Sequence, residues 1–496
     1  MRRFALPAAV LLALCVVFVV AKVTQPGPAR VVVPGGRAAA VTAVTRSCPP
    51  AAPGAGAARI ATIALPSHAG HGGSAAAGSG AATFSTVLGT PAAAGSGKPS
   101  ASASTSAKAP RPVTLTAPGT AATVTMPDGG GAAVAAAGQM AEGFEAEQSD
   151  SSGTGLVSCT HPGSDMWFVG TGLSAGATQI RLYLMNTGSV TASVDVTILT
   201  DTGQQNGLSN AITVLPDQFV TENIASYVPG SQALALHVQT NTGQVGASVW
   251  EGDGAGSGAW LPQADAPATS LVIPGLTVAS STAKLFVVVP GSTDAQVKVV
   301  AYTPAGAVAQ FTATPVDASA GAATPVALNS LGASAAGLKL TSNVPVVAGV
   351  LVPGAGIGSF TTATPPVTEQ GVIAGNPATR GVTVGLLLTA PSAAAHASIS
   401  VISAAGTVTT PTADEAVTVA AGHTLAVAVP RPAGSRQPFA IVITPQAGSG
   451  PLYAVRVVTS GTGGLSAPLV SLLPVLSALT SITLPPAQNS YSAVLP

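Results

Sequence analysis

The sequence predicts an all-β protein in which tandem β-sandwiches follow an N-terminal transmembrane helix and a low-complexity segment. Three observations support this class. Short runs of Val, Leu, Ile and Thr are separated by Gly, Pro and Ser, which is typical of strands and turns. The pattern recurs about every 100 residues, the size of one Ig-like or fibronectin-like sandwich. No segment after residue 160 has a long apolar period of 3.6 residues, so no helix is predicted there.

Charge is scarce throughout the chain. The 496 residues include 18 Lys+Arg and 18 Asp+Glu, so charged residues make up 7%, against about 25% in an ordinary soluble domain. The net charge of zero removes any global attraction to nucleic acid. With only six His, an enzyme rich in acid and base groups is not predicted.

An apolar run follows Arg2 and Arg3 at the N-terminus. It extends from Phe4 to Ala21 without a charge, and at about 1.5 Å per residue it is long enough to cross a bilayer. The alternative is a cleaved signal peptide, but such peptides have apolar regions of about 7–15 residues and a small-residue cleavage site. We therefore predict a membrane anchor at residues 1–24 and a juxtamembrane linker at 25–46. The bulk of the single-pass chain would be extracytoplasmic.

Outside the apolar run the chain has two cysteines, Cys48 and Cys159. In an exported chain such a pair predicts a disulfide more often than a catalytic thiol or a metal site. By the loop-entropy model, a bridge across this distance contributes about 4–5 kcal/mol. The alternative is two unpaired buried thiols.

Residues 47–159 are rich in Ala, Gly, Ser and Pro but contain short β-like runs. They predict a partly flexible β region, since such composition buries little apolar area. Near its end lies an acidic cluster, which we interpret as a solvated boundary. It consists of Glu142, Glu145, Glu147 and Asp150.

Three repeats follow, predicted as β-sandwiches over residues 160–266, 267–368 and 369–485, with a C-terminal tail at 486–496. Each repeat opens with a strand, a Gly/Pro/Ser turn and a second strand, and a later strand pair closes it. The opening strands begin near Gln179, Ala283 and Val384. A period near 100 residues is too long for a solenoid or a propeller blade.

All three tryptophans, Trp167, Trp250 and Trp260, lie in the first repeat. Between Trp250 and Trp260 is a Gly-rich loop with two carboxylates, Glu251 and Asp253. Exposed indoles beside carboxylates would suit contact with a glycan or a partner protein. In the alternative interpretation Trp167 and Trp250 are core anchors and Trp260 packs at a domain junction, as buried aromatic side chains generally do.

One segment matches a catalytic motif, the G-x-S-x-G pattern around Ser174. That motif needs a strand before it and a helix after it, in a parallel-sheet fold. Here a β repeat follows, so we interpret the segment as a Gly-rich loop. The sequence predicts no catalytic residue, no cofactor and no metal site.

The sequence is similar to a family of actinobacterial membrane-anchored proteins catalogued as a domain of unknown function. The resemblance rests on the Arg-flanked N-terminal span, on Ser47-Cys48-Pro49, on the repeated strand pairs, and on Cys159-Thr-His-Pro162 leading into Trp167. It implies an extracytoplasmic protein associated with envelope or glycan-assembly machinery. The family offers no catalytic residue to transfer.

Together these features predict a non-catalytic structural or protein-interaction stalk of the cell envelope. Its partners would be the membrane, through the N-terminal helix, and another envelope protein such as a membrane glycosyltransferase. The alternative is a carbohydrate-binding protein that uses the Trp-rich first repeat to hold a glycan. A nucleic-acid partner is not expected.

Overall fold

A computed structural model describes most of the chain between residues 37 and 484. The described ranges are 37–66, 80–89, 113–126, 129–150, 155–173, 177–205, 208, 211–254, 257–277, 283–308, 315–328, 335–354, 356–410, 416–461 and 469–484. The predicted anchor, the C-terminal tail and Ser174 lie outside them. Within these ranges no helix is long and apolar enough to span a bilayer.

The described residues form strands and two short 3₁₀ helices, Gly138–Met140 and Ile224–Tyr227, which confirms the all-β class. Residues 40–481 make one compact unit. Strands β1 (Arg37–Ala40) and β37 (Ser481–Leu484) pair with each other.

An N-terminal module precedes the three repeats. Its strands are β2 (Ala43–Cys48), β3 (Arg59–Ile63), β4 (Ala82–Gly89), β5 (Val113–Leu115), β6 (Ala122–Thr125), β7 (Gly131–Ala137), β8 (Glu145–Ser149) and β9 (Leu156–Ser158). One sheet has the order β2-β7-β4-β5 and the other has the order β6-β3-β8-β9. A shared apolar core, which includes Phe84, Met140 and Phe144, lies in this module.

The first repeat module also consists of two sheets. Its strands are β10 (Asp165–Thr171), β11 (Gln179–Asn186), β12 (Ala192–Thr200), β13 (Gly203–Gln205), β14 (Ile212–Val214), β15 (Gln218–Asn223), β16 (Ala233–Thr242), β17 (Gly246–Gly252), β18 (Gly258–Leu261) and β19 (Gln263–Ala264). One sheet runs β13-β12-β16-β10-β19, with β14 beside β12, and the other contains β18-β17-β11-β15.

In the second repeat module a single long strand belongs to both layers. The strands are β20 (Ala268–Thr277), β21 (Lys284–Val288), β22 (Ala295–Thr303), β23 (Gly306–Val308), β24 (Val316–Ala318), β25 (Ala323–Ala327), β26 (Ala335–Val352) and β27 (Ser359–Thr362). The first half of β26 pairs with β20 and β22, whereas its second half pairs with β21 and β27.

The third repeat module returns to two separate sheets. Its strands are β28 (Gly371–Asn376), β29 (Val382–Ala390), β30 (Ala395–Ile402), β31 (Val408–Thr409), β32 (Val417–Val419), β33 (His423–Val429), β34 (Phe439–Pro445), β35 (Tyr453–Ser460) and β36 (Leu469–Val475). The sheets run β28-β34-β30-β31, with β32 beside β30, and β33-β29-β35-β36.

The repeat seen in the sequence corresponds to the strand pairs β11–β12, β21–β22 and β29–β30. The second strand of each pair alternates buried and more exposed residues at its start. Because successive side chains of a strand point to opposite faces, this alternation puts one face of each strand against its core. Val194, Val297 and Ala397 are the buried members at equivalent places.

Each module shares apolar surface with two others. Strand β15 pairs in parallel with β4, so one sheet continues from the first repeat into the N-terminal module. The core of the first repeat takes in Phe286 and Phe360 of the second, and the core of the second takes in Leu387 and Val455 of the third. A further cluster joins the N-terminal module to the third repeat through Ile63, Leu65, Val372, Ala440 and Val442.

The four modules therefore close into a ring rather than extend as a stalk, and the expectation of an extended stalk is wrong. The physical reason lies in the outer faces of the modules. They carry Val, Ala and Leu where isolated domains carry charges, and burial of such faces is worth about 25 cal/mol per Å². The protein is therefore more stable when consecutive repeats bury these faces against one another than when each repeat exposes them to water.

Cys48 and Cys159 form a disulfide that bridges 111 residues, as the sequence predicts. Cys48 ends β2 and Cys159 follows β9, so the bond links the two sheets of the N-terminal module. Both residues are buried, at 0% and 2% exposure.

We expect the double substitution Cys48→Ala, Cys159→Ala to lower the free energy of unfolding by about 4–5 kcal/mol, because the unfolded chain regains the entropy of an open loop. Urea unfolding of the oxidised protein and of the double variant measures the difference. Reduction of the wild-type protein serves as the matched control and should give a similar loss. Two free thiols in the mass spectrum of the non-reduced protein would contradict the bond itself.

Candidate functional site

Three of the four modules line a cavity of about 410 Å³. The N-terminal module contributes β8, β9 and the end of β2, and the first repeat contributes β18. The third repeat contributes β28 and β36, and the connection before β28 adds Thr364 and Pro365. His161, Pro365 and Leu476 are exposed and mark the mouth.

Arg46 and Glu145 form an ion pair at one end of the cavity. Nη2 of Arg46 donates hydrogen bonds to Oε1 of Glu145 and to the carbonyl oxygen of Phe144, the latter at 3.0 Å. The side chains are 7% and 15% exposed. The pair thus joins β2 to β8, which lie in different sheets of the N-terminal module.

A second ion pair connects the N-terminal module to the third repeat. Nη1 of Arg456 on β35 donates to Oε2 of Glu147 on β8 at 2.7 Å, and the arginine is 0% exposed. The same nitrogen donates to the carbonyl oxygen of Gly375 at 3.1 Å. The backbone N–H of Gly375 in turn donates to Oε2 of Glu147 at 3.1 Å. Buried charges need such additional hydrogen bonds to offset the loss of water.

Gly375 lets the two modules approach this closely. A Cβ at this position would lie 3.1 Å from Cβ of Ala61 and 3.4 Å from Cβ of Glu147. The adjacent Asn376 donates from Nδ2 to the carbonyl oxygen of Phe439 at 2.9 Å, and that bond holds the end of β28 in place.

The ionisable groups around the cavity have displaced pKa values. Burial, together with the charge of Glu147, raises the pKa of Glu145 to about 7 although Arg46 acts in the opposite direction. Desolvation and the charge of Arg46 lower the pKa of His161 to about 4. Burial also raises the pKa of Asp265. At neutral pH the imidazole is therefore uncharged, and Glu145 is divided between its two protonation states.

The acidic cluster is thus not a uniformly solvated boundary, because Glu145 and Glu147 lie in the interior. The signal that could have found them is their spacing. Residues two apart on a strand share one face, and this pair alternates with the small, fully buried Ala146. Sequence reasoning also missed Arg46 and Arg456, which had no local feature to distinguish them.

The structure brings together Trp250 and Trp260 but buries both, at 3% and 7% exposure. They face each other across β17 and β18 and belong to a cluster with Tyr183, whose ring centroid is 5.7 Å from that of Trp260. Gly252 and Gly258 make room for Trp250, because a Cβ at either position would overlap its indole. Their burial supports the packing interpretation for both indoles, and Trp260 also lines the cavity.

The carboxylates near these tryptophans are also occupied within the fold. Glu251 is 0% exposed, and its Oε2 accepts hydrogen bonds from Oγ1 and N of Thr171, at 2.6 and 3.3 Å. Burial without a cationic partner raises its pKa to about 8. Asp253 accepts a bond from the backbone N–H of Ser257 at 3.0 Å and so fixes the turn before β18.

Trp167 packs face to face on His237, with ring centroids 3.9 Å apart. His237 Nε2 lies 3.0 Å from Oδ1 of Asp165. These contacts join the beginning of β10 to β16. In the described part of the chain, no group of three or more His, Cys, Asp or Glu side chains could hold a metal ion.

These features define a class: an all-β protein of several packed sheets with a cavity lined in part by Arg46, Glu145 and Glu147. A family of unknown function (DUF5719) matches residues 113–430, more than half of the chain, and the chain belongs to that family. No curated protein matches the chain. No solved structure matches it either.

We expect Arg456→Met to lower the free energy of unfolding by about 3–5 kcal/mol, because it leaves the carboxylate of Glu147 buried without a counter-charge. The double variant Arg456→Met, Glu147→Leu should recover much of that loss, since no lone charge remains. Arg380→Met, at an exposed position of the same module, is the control and should change stability by less than about 0.5 kcal/mol. Urea unfolding distinguishes these outcomes, and additive losses in the double variant would contradict the coupling.

The protonation of Glu251 should make stability depend on pH. Its folded pKa of about 8 exceeds its ordinary value of 4.5, so the folded state binds the proton more tightly. This contribution is full below pH 4.5 and is lost as pH rises to about 8, with a slope of at most about 1.4 kcal/mol per pH unit.

Glu251→Gln keeps the size of the side chain and removes the titration. Glu145, with a pKa of about 7, contributes in the same direction but over a lower range. The variant should therefore flatten the decline in stability between about pH 4.5 and pH 8, and Glu145 should leave a residual decline up to about pH 7. Thermal unfolding of both proteins across this range provides the measurement, and an unchanged slope would show that Glu251 does not carry the proton.

Proposed function

We propose that this protein is a non-catalytic interaction protein of the cell envelope, held by its N-terminal segment to the membrane with residues 40–481 on the extracytoplasmic side. The observation that carries the proposal is the buried disulfide between Cys48 and Cys159. Such bonds persist in oxidising compartments and are rare where glutathione and thioredoxin keep thiols reduced.

An interaction role is supported by what the described side chains do. Glu147, Glu251 and Arg456 are occupied in internal contacts, as structural groups are. The repeats, which we propose are Ig-like or fibronectin-like sandwiches, form an arrangement that presents fixed surfaces. The partner would be another envelope protein, such as a membrane glycosyltransferase. We do not propose glycan binding through Trp250 and Trp260, because both indoles are buried.

We expect an amine-reactive biotin reagent that does not cross membranes to label the protein in intact cells. Lys284 and Lys298 are exposed and are the matched reporters on the second repeat. The labelled protein should sediment with the membrane fraction. Labelling only after lysis would contradict the extracytoplasmic location.

Crosslinking in whole cells, followed by purification of the tagged full-length chain, tests the interaction role itself. We expect a reproducible adduct with an integral envelope protein. A variant that lacks residues 1–24 and is exported through a cleavable signal serves as the control for membrane proximity. Recovery of the uncrosslinked chain alone, from cells in which labelling succeeds, would contradict the interaction role while leaving the location intact.

A further inference from the structure

Aliphatic side chains line much of the central cavity. Leu261 of β18, Ile373 of β28 and Leu473 and Val475 of β36 line it, together with Val157 of β9. Its volume of about 410 Å³ falls within the range of about 300–1,000 Å³ that is typical of small-molecule sites, which are mostly apolar with a few fixed polar groups. Arg46 and Glu145, which form the ion pair at one end of the cavity, supply those polar groups.

Arg46 presents one side of its guanidinium to the cavity. Its Nε is buried without a hydrogen-bond partner, and the two hydrogen bonds that it makes to described residues both leave from Nη2. The edge that carries Nη1 is therefore the part that can meet a ligand. A guanidinium binds carboxylates well, because its planar donors match the two carboxylate oxygens.

Five ionisable side chains line the cavity: Arg46, Glu145, Glu147, His161 and Asp265. Glu147 is compensated by Arg456, and His161 is neutral because its pKa is about 4. Asp265 lines the cavity and titrates above its usual range. Glu145, whose pKa is about 7, is uncharged below neutral pH, and Arg46 then has a positive charge without a counter-ion.

We propose that the central cavity binds an aliphatic monocarboxylate, with its carboxylate on Arg46 and its hydrocarbon chain along Ile373, Leu473 and Val475. The chain enters past Leu476, a mouth residue that is 45% exposed. An alkylamine would bring its positive charge to Arg46.

Ligand binding is linked to a proton on Glu145. In its ionised form this carboxylate competes for Arg46 and repels the carboxylate of the ligand. Binding above the pKa of Glu145, about 7, therefore takes up one proton. The dissociation constant should rise about tenfold for each pH unit above that value.

The test is calorimetric titration of the full-length, disulfide-intact protein with tetradecanoate below its micelle concentration. We expect one site per chain, weakening from pH 7 to pH 9 by about fiftyfold. Tetradecylamine and butanoate are the comparison ligands and should bind at least about tenfold more weakly, because one lacks the anion and the other lacks the chain. Equal binding of the amine, or no binding of tetradecanoate at any pH, would overturn the proposal.

Three variants locate the site. Arg46→Gln should weaken tetradecanoate binding at least about tenfold, and Glu145→Gln should remove the pH dependence while keeping the affinity seen at neutral pH. Because both positions are interior, Leu476→Asp provides a test at the exposed mouth and should also weaken binding. Leu88→Asp, at a site 65% exposed and not among the cavity-lining residues, is its matched control. Equal effects of the two leucine substitutions would place the ligand elsewhere.

Discussion

The buried ion pair between Glu147 and Arg456 constrains how the third repeat docks on the N-terminal module. Each charge loses its water when the third repeat docks on the N-terminal module, a penalty of several kcal/mol per ion that only good geometry offsets. The geometry is provided by Gly375, whose N–H and carbonyl oxygen contact the two charges. Any displacement of β28 along β8 would leave both charges buried and unsatisfied, so the pair fixes the register of the interface.

The low charge content of the chain follows from this closed arrangement. Every module packs against two others, so much of what would be solvent-facing surface in a free domain is interior here. Val and Ala suit both a pleated strand and a flat interface. Four of the few charged residues form two interior ion pairs, Arg46 with Glu145 and Glu147 with Arg456. These pairs fix the relative positions of strands that apolar contacts alone would not fix.

The sequence was sufficient for the strands, the repeat and the disulfide, because each depends on local pattern or on a count. The alternation in β12, β22 and β30 is visible in the first seven residues of each strand, and the two cysteines outside the N-terminal apolar run allow one pairing. The ring was not predictable from such patterns. Glu147 and Arg456 are 309 residues apart, and nothing near either residue in the chain indicates the other.

The segment from Trp250 to Trp260 also shows where prediction from sequence ends. A Gly-rich loop between Trp250 and Trp260 is compatible with an open platform or with a tight pair of strands. The deciding fact is steric, because Gly252 and Gly258 admit the indole of Trp250 between strands only when β18 folds back on β17. Composition alone does not distinguish those two arrangements.

The ring also imposes an order on biosynthesis. The N-terminal module is synthesised first. Arg456 emerges from the ribosome only after more than 300 further residues have followed Glu147. Until then the carboxylate of Glu147 is hydrated and the face of β8 and β3 that β28 covers is open to solvent. The nascent chain therefore exposes an apolar face of its N-terminal module through most of its synthesis. That face is covered only when the third repeat has been made and docks on it.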